Sequence, residues 1–180
     1  VAQALRDLKR EVETRITTSR IDPEAARRSI LLLGGRSEGG TNFNAVPDAC
    51  SFTVDRRPNP EEDFEVEKRR LLDTIDRARG DYRVDVEILQ EGRSSGTDDQ
   101  GWLGRALARS ILEVTGRPAR FELCPGLLET RFYAERGIPA FAYGPGLLTV
   151  SHGPNEFVPI DRIVECGQIY ALTAAELLAK

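Results

Sequence analysis

The 180-residue chain has one histidine, His152, set in a run dense with glycine and proline, AYGPGLLTVSHGPNEFVPID at 142–161. Gly-Pro pairs lie on both sides of it and a carboxylate follows at Glu156, so the backbone is steered sharply around one imidazole. A neutral imidazole near physiological pH can ligate a metal or accept a proton. A surface loop that happens to contain a histidine is the competing reading, and for an arbitrary lone histidine it is the commoner one. The thiols add little: Cys50, Cys124 and Cys166 are odd in number, far apart and without CxxC spacing, the pattern of reduced cysteines in a cytosolic protein. Cys50 reads as an inward strand residue and Cys166 as a helix-face residue, each more often core than ligand.

Composition bounds what these groups can serve. With 40% hydrophobic and 30% charged residues the chain suits one medium or two small globular domains. The net charge of −4 and pI near 5.2 leave no basic footprint, and the pairs Arg27-Arg28 and Arg69-Arg70 sit among carboxylates as solvated helix faces do. Nucleic acid is therefore excluded as an expected partner. No apolar run approaches the roughly 20 residues of a membrane span, which excludes a membrane partner on the same footing. There is no methionine, and helical periodicity begins at the first residue without a cap, so the stretch reads as a fragment cut inside or just before a helix, or as one whose methionines were lost in processing.

The elements that must position such groups follow from periodicity. Val1, Leu5, Leu8, Val12 and Ile16 repeat at a helical period and predict a helix over 1–16. SILLLGGRS at 29–37 is a short apolar run ended by glycines, and ACSFTVDRR at 49–57 alternates Cys50, Phe52 and Val54 against Ser51, Thr53 and Asp55. Together they predict an antiparallel pair with one polar face. Asn59, Pro60 and Glu62 are placed as N-cap, N1 and N3 of a second helix, with Phe64, Leu71, Leu72, Ile75 and Ala78 as its apolar stripe. RGD at 79–81 reads as a turn. YRVDVEIL at 82–89 alternates and predicts a further strand. The order α-β-β-α-β is one strand short of a split βαββαβ sandwich.

Gly, Ser and Asp then take over at 90–101 and mark a boundary. Thr97 or Asp98 can cap a third helix that Gly116 closes. Strands at 120–123 and 138–143, a short helix at 129–136 and a terminal helix at 161–179 complete an alternation that predicts an α/β sheet, whose strand-end loops carry ligands.

Four collinear stretches resemble the M20 zinc peptidase and deacylase family, which includes acetylornithine deacetylase, succinyl-diaminopimelate desuccinylase, aminoacylase and carboxypeptidase G2. GGTNFNAVPDACSFTVDRR resembles the hairpin of the family's lid domain, GLLETRFYAERGIPAFAYGPG its G..D.RF….G.P…YGPG stretch, SHGPNEFV its histidine segment, and the last helix its C-terminal end. The resemblance implies an α/β protein: residues 1–92 form an α+β lid and dimerisation domain of split βαββαβ type lacking its first strand, and 93–180 form the C-terminal part of the catalytic α/β zinc-hydrolase sheet domain. It further implies that His152 is the C-terminal zinc ligand, that Glu156 supports its loop by hydrogen bonding, and that Asn44, Arg57 and Gly126 contact substrate. Asn44 and Arg57 stand thirteen residues apart at the two ends of the hairpin strand, and arginine's planar fork suits a carboxylate. Arg56 then points to the other face of the strand, and Asp55 is structural. Glu129 and Arg131 take the family's acidic and arginine positions or pair with each other, and Leu127 and Leu128 replace the Thr or Ser of several members.

What the resemblance implies for function is a cytoplasmic amide hydrolase with two zinc ions, or cobalt or manganese, that releases an acyl group or residue from an N-acyl amino acid or small peptide. A homodimer through the lid is implied as well, with 83–89 as a candidate edge on which Asp85 and Glu87 discourage open aggregation. The remaining metal ligands and the general base belong to a preceding segment, so no catalytic residue is expected within these 180 residues and the stretch alone is expected to be inactive. A non-catalytic dimerisation or ligand-binding module is the alternative, and metal content separates the two.

Overall fold

Helix α1, Ala2–Val12, turns Leu5, Leu8 and Val12 inward, the spacing of one helical face. It stops at Val12, short of the expected Ile16. Thr14 Oγ1 turns back to the Glu11 carbonyl at 2.7 Å, and the chain then pairs with 27–29: the Thr17 amide donates to the Arg27 carbonyl, the Ser29 amide donates to the Arg15 carbonyl, and Ile16 bridges Arg28. Ile16 is 57% exposed, so its helical spacing is coincidental. The computed structural model describes residues 1–147, 149–151 and 153–179. They form helices mixed with a small antiparallel sheet.

The residues divide into two compact units, Val1–Ser94 with Glu122–Gly126, and Ser95–Phe121 with Leu127–Lys180. In the first unit, β1 (Ile30–Gly39) and β2 (Cys50–Arg57) pair antiparallel from Ile30 opposite Arg57 to Gly39 opposite Cys50, with an irregularity between Leu33 and Ser37. Leu31 and Leu33 on β1 lie opposite Arg56 and Val54 on β2, and this face packs on Leu8 and Val12 of α1 and on Leu71 of α2, Phe64–Ala78. Leu31 and Val12 are fully buried.

Three expectations for this unit change. Helix α2 begins at Phe64, because Asp63 and not Asn59 caps it: Asp63 Oδ1 accepts the Val66 amide at 2.9 Å, while the Asn59 side chain is turned to the carbonyls of Arg15 and Arg27. Glu62 still reaches the Asn59 amide at 2.6 Å, closing a turn before the helix. Residues 82–89 alternate as expected but join no ladder among the described residues, and Val86, Ile88 and Leu89 are at least half exposed. Cys50 is exposed, since its partner across the ladder at the loop end of the hairpin is Gly39, which has no side chain to cover it.

In the second unit α3, Trp102–Thr115, packs on α5, Ile160–Leu178, through Ala106, Leu107, Cys166 and Ile169. Buried hydroxyls meet there, Thr173 Oγ1 donating to Ser110 Oγ at 3.0 Å. Gly116 closes α3 in the left-handed region at φ 67°, as its position predicts. Gly101, and neither Thr97 nor Asp98, occupies the start of α3. Thr97 is spent instead on Ala140, donating to its carbonyl at 2.8 Å and accepting its amide at 3.0 Å. The stretches 120–123 and 138–143 form no sheet among the described residues, and Phe121 packs on Phe141 with ring centres 4.8 Å apart. Helix α4, Thr130–Ala134, falls inside the expected short helix.

Candidate functional site

Strand alternation decides which side chains of Asp55-Arg56-Arg57 meet solvent. Asp55 and Arg57 share the outer face of β2, and Arg56 turns to the core. The Arg57 guanidinium is about half exposed and is fixed at three of its donors: Nε and Nη2 donate to Asp55 Oδ2 at 2.9 and 2.7 Å, and Nη1 donates to the Pro125 carbonyl at 3.2 Å. The bond to Asp55 pushes the pKa of Arg57 up, outweighing the opposing effect of partial burial, so the group is a permanent cation. Pro125 precedes Gly126 directly, so the loop that carries Gly126 lies against Arg57. The first unit thus brings together two of the residues singled out in the sequence.

Asn44 is exposed in the loop between β1 and β2, which joins β2 at Cys50, whereas Arg57 ends that strand about 23 Å further on at the usual rise per residue. A groove of about 530 Å³ near the loop end of the hairpin, lined by Arg6, Glu38, Cys50 and Phe52 among others, contains none of the expected site residues. Arg131 does not pair with Glu129. Its Nη1 donates to the Leu128 carbonyl at 2.8 Å and its guanidinium lies 4.2 Å from the centre of the Phe132 ring.

His152 lies outside the described residues. Its neighbours turn tightly: the Gly153 amide donates to the Val150 carbonyl at 3.0 Å, and a side chain at Gly153 would come within 2.9 Å of that oxygen, which only glycine avoids. Glu156 is exposed on the segment leading into α5. Among the described residues no three His, Cys, Asp or Glu side chains gather so as to hold a metal ion, so these residues do not by themselves make a metal centre.

The inner face of β2 holds what sequence reading missed, a buried cluster of four charges. Arg56 Nη2 donates to Glu62 Oε1 and Glu67 Oε2, both at 2.7 Å, and its Nη1 to Ser29 Oγ at 2.6 Å. Arg15 Nη1 donates to the same two carboxylates at 2.5 and 2.7 Å. Burial pushes the carboxyls of Glu62 and Glu67 up, but their hydrogen bonds and the two arginine charges overcome it and hold both below the ordinary 4.5. Glu61, beside the cluster, accepts from the hydroxyls of Thr17 and Thr18 and the Thr18 amide, and the Thr18 bonds bring it down to about 2. The cluster ties the end of β2 to Ser29, Glu62 and Glu67 through Arg56.

The family model for "Peptidase family M20/M25/M40" matches residues 6–176. This chain belongs to that family. A Mycobacterium tuberculosis protein provisionally named succinyl-diaminopimelate desuccinylase DapE is 30% identical over 128 residues, 71% of this chain and 33% of that protein. The acetylornithine deacetylase of Myxococcus xanthus is 29% identical over 145 residues, 78% of this chain and 36% of that protein. The YqjE protein of Bacillus subtilis is 25% identical over 139 residues, 75% and 36% of the two chains. The M20 chain described here therefore spans about a third of the length of the curated relatives it matches. No helix among the described residues is long and apolar enough to cross a membrane.

Proposed function

We propose that this chain is the part of an M20 metal-dependent amide hydrolase that binds the free carboxylate of an N-acyl amino acid, through Arg57, and that contributes His152 as one metal ligand. The observation that carries the reading is the match over residues 6–176 to a family whose relatives here are named for removing succinyl or acetyl groups. The remaining ligands, for two zinc ions or for cobalt or manganese, and the general base come from outside these 180 residues, so the stretch is inactive alone. When bound, such metals supply a polarised acyl carbonyl and an activated water. What this chain's own residues do is narrower. Arg57 presents a fixed cation beside the Gly126 loop, and two parallel hydrogen bonds from a guanidinium select a carboxylate over a neutral amide. Residues 1–92 serve as the lid and pair two subunits, and 93–180 belong to the catalytic domain. Asn44, in the loop before β2, adds a neutral amide donor for the same carboxylate.

In the full-length enzyme Arg57→Ala is expected to raise KM for an N-acyl amino acid at least tenfold, since a hydrogen bond to a charged group is worth about 1.5 to 3 kcal/mol. Steady-state kinetics on the purified variant check it. An unchanged KM removes Arg57 from the substrate site.

A further inference from the structure

Asp55 and Arg57 form an ion pair in which the side chains are 45% and 46% exposed. An exposed pair of this kind contributes little to stability, so its geometry calls for another use. A single Asp55 oxygen takes both Nε–H and one Nη2–H, and the Pro125 carbonyl takes one Nη1–H, so the plane of the guanidinium is fixed along its Nε–Nη2 side and at Nη1. Among the described residues this leaves one N–H on each terminal nitrogen without a partner, the two donors that a carboxylate can still engage. Arg56, between them in sequence, is held on the opposite face and competes for neither.

We propose that Asp55 is a positioning residue for carboxylate recognition: it holds the Arg57 guanidinium so that its remaining terminal N–H groups meet the free carboxylate of the substrate already oriented. The inference rests on the reading of Arg57 given above. An arginine side chain has several rotatable bonds, and ordering it before the ligand arrives removes that cost from binding. Asp55 also places a negative charge near the incoming carboxylate, an opposing effect. Both side chains are open to water, where the high dielectric constant and salt weaken that repulsion, whereas the loss of an ordered rotamer is not screened. Positioning therefore wins.

The test uses the full-length enzyme with an N-acyl amino acid and the matching N-acyl amino-acid amide, whose terminus is neutral. Asp55→Ala is expected to raise KM for the acid three- to tenfold, with kcat within twofold, KM for the amide within twofold and an unchanged melting temperature, and Asp55→Glu is expected to restore part of the loss. A KM for the acid that stays the same or falls in Asp55→Ala, while Arg57→Ala raises it, overturns the positioning role and leaves the carboxylate reading standing. A parallel rise for acid and amide, or a lowered melting temperature, also overturns it, because a structural role would produce either. If Arg57→Ala itself leaves KM unchanged, the carboxylate reading falls and the positioning role falls with it.

Discussion

Arg56→Ala should destabilise the first unit by about 3 to 5 kcal/mol, the cost of leaving buried charges without a partner. The Arg56 side chain is 6% exposed and lies between Glu62 and Glu67, themselves 11% and 7% exposed. Without it the two carboxylates share Arg15 alone, and Ser29 loses its donor at 2.6 Å. Hydrogen exchange of the β1 and β2 amides in the full-length protein measures the effect locally. At 1.4 kcal/mol per decade, protection should fall by roughly two to three and a half orders of magnitude. The figure measures the cost of stranded charge, not the net worth of the cluster, since replacing all of its members with well-packed apolar groups can be neutral. A fall of less than tenfold would show that the cluster is open to water and that the end of β2 is fixed by something else.

Leu31→Ala should cost about 3 kcal/mol, within the 2 to 5 found for such deletions in cores. Leu31 is fully buried against Leu8 and Val12, with Leu33, Val54 and Leu71 around it. Two helices and a strand line the cavity the substitution would leave, and packing elements tied together by ion pairs close poorly over a void. Leu32, the next residue, is 49% exposed on the other face of β1. Leu32→Ala should therefore cost about 1 kcal/mol or less. Denaturant unfolding of the two variants compares them directly, and equal losses would mean that the faces of β1 are not divided as described.

Much of the first unit was readable because local pattern and tertiary structure agree there. The alternation through Val54, Asp55, Arg56 and Arg57 assigns two residues to the core and two to the outer face, and the apolar run at 29–37 offers the only nearby partner. The same reasoning overreached at 82–89. Alternation says that a segment has two unlike faces, but a strand also needs a neighbour to accept its amides, and no property of the segment itself supplies one. Ile16 failed for a related reason: one more apolar residue in phase does not outweigh a backbone that has begun to pair with 27–29.

The charge cluster left one local signature, the alternation that turns Arg56 to the inner face, and none for its partners. Arg15 meets Glu62 across 47 residues and Glu67 across 52, and in sequence each is an ordinary charge on a helix or turn. For the candidate site, an Asp and an Arg two apart on a strand must share a face, so the Asp55–Arg57 pair was available to sequence reading, although its use was not. That Asn44 precedes the strand and Arg57 ends it was available too. The contact of Arg57 with Pro125 was not, because it joins segments 68 residues apart.

Metal content and its link to activity test the central claim most directly. The full-length protein, purified without added chelator, should carry about two zinc ions or equivalent divalent metals per chain by elemental analysis, and should hydrolyse an N-acyl amino acid in a manner abolished by chelation and restored by metal. A protein that binds no divalent metal, or one whose hydrolysis of that substrate survives complete chelation, contradicts the assignment.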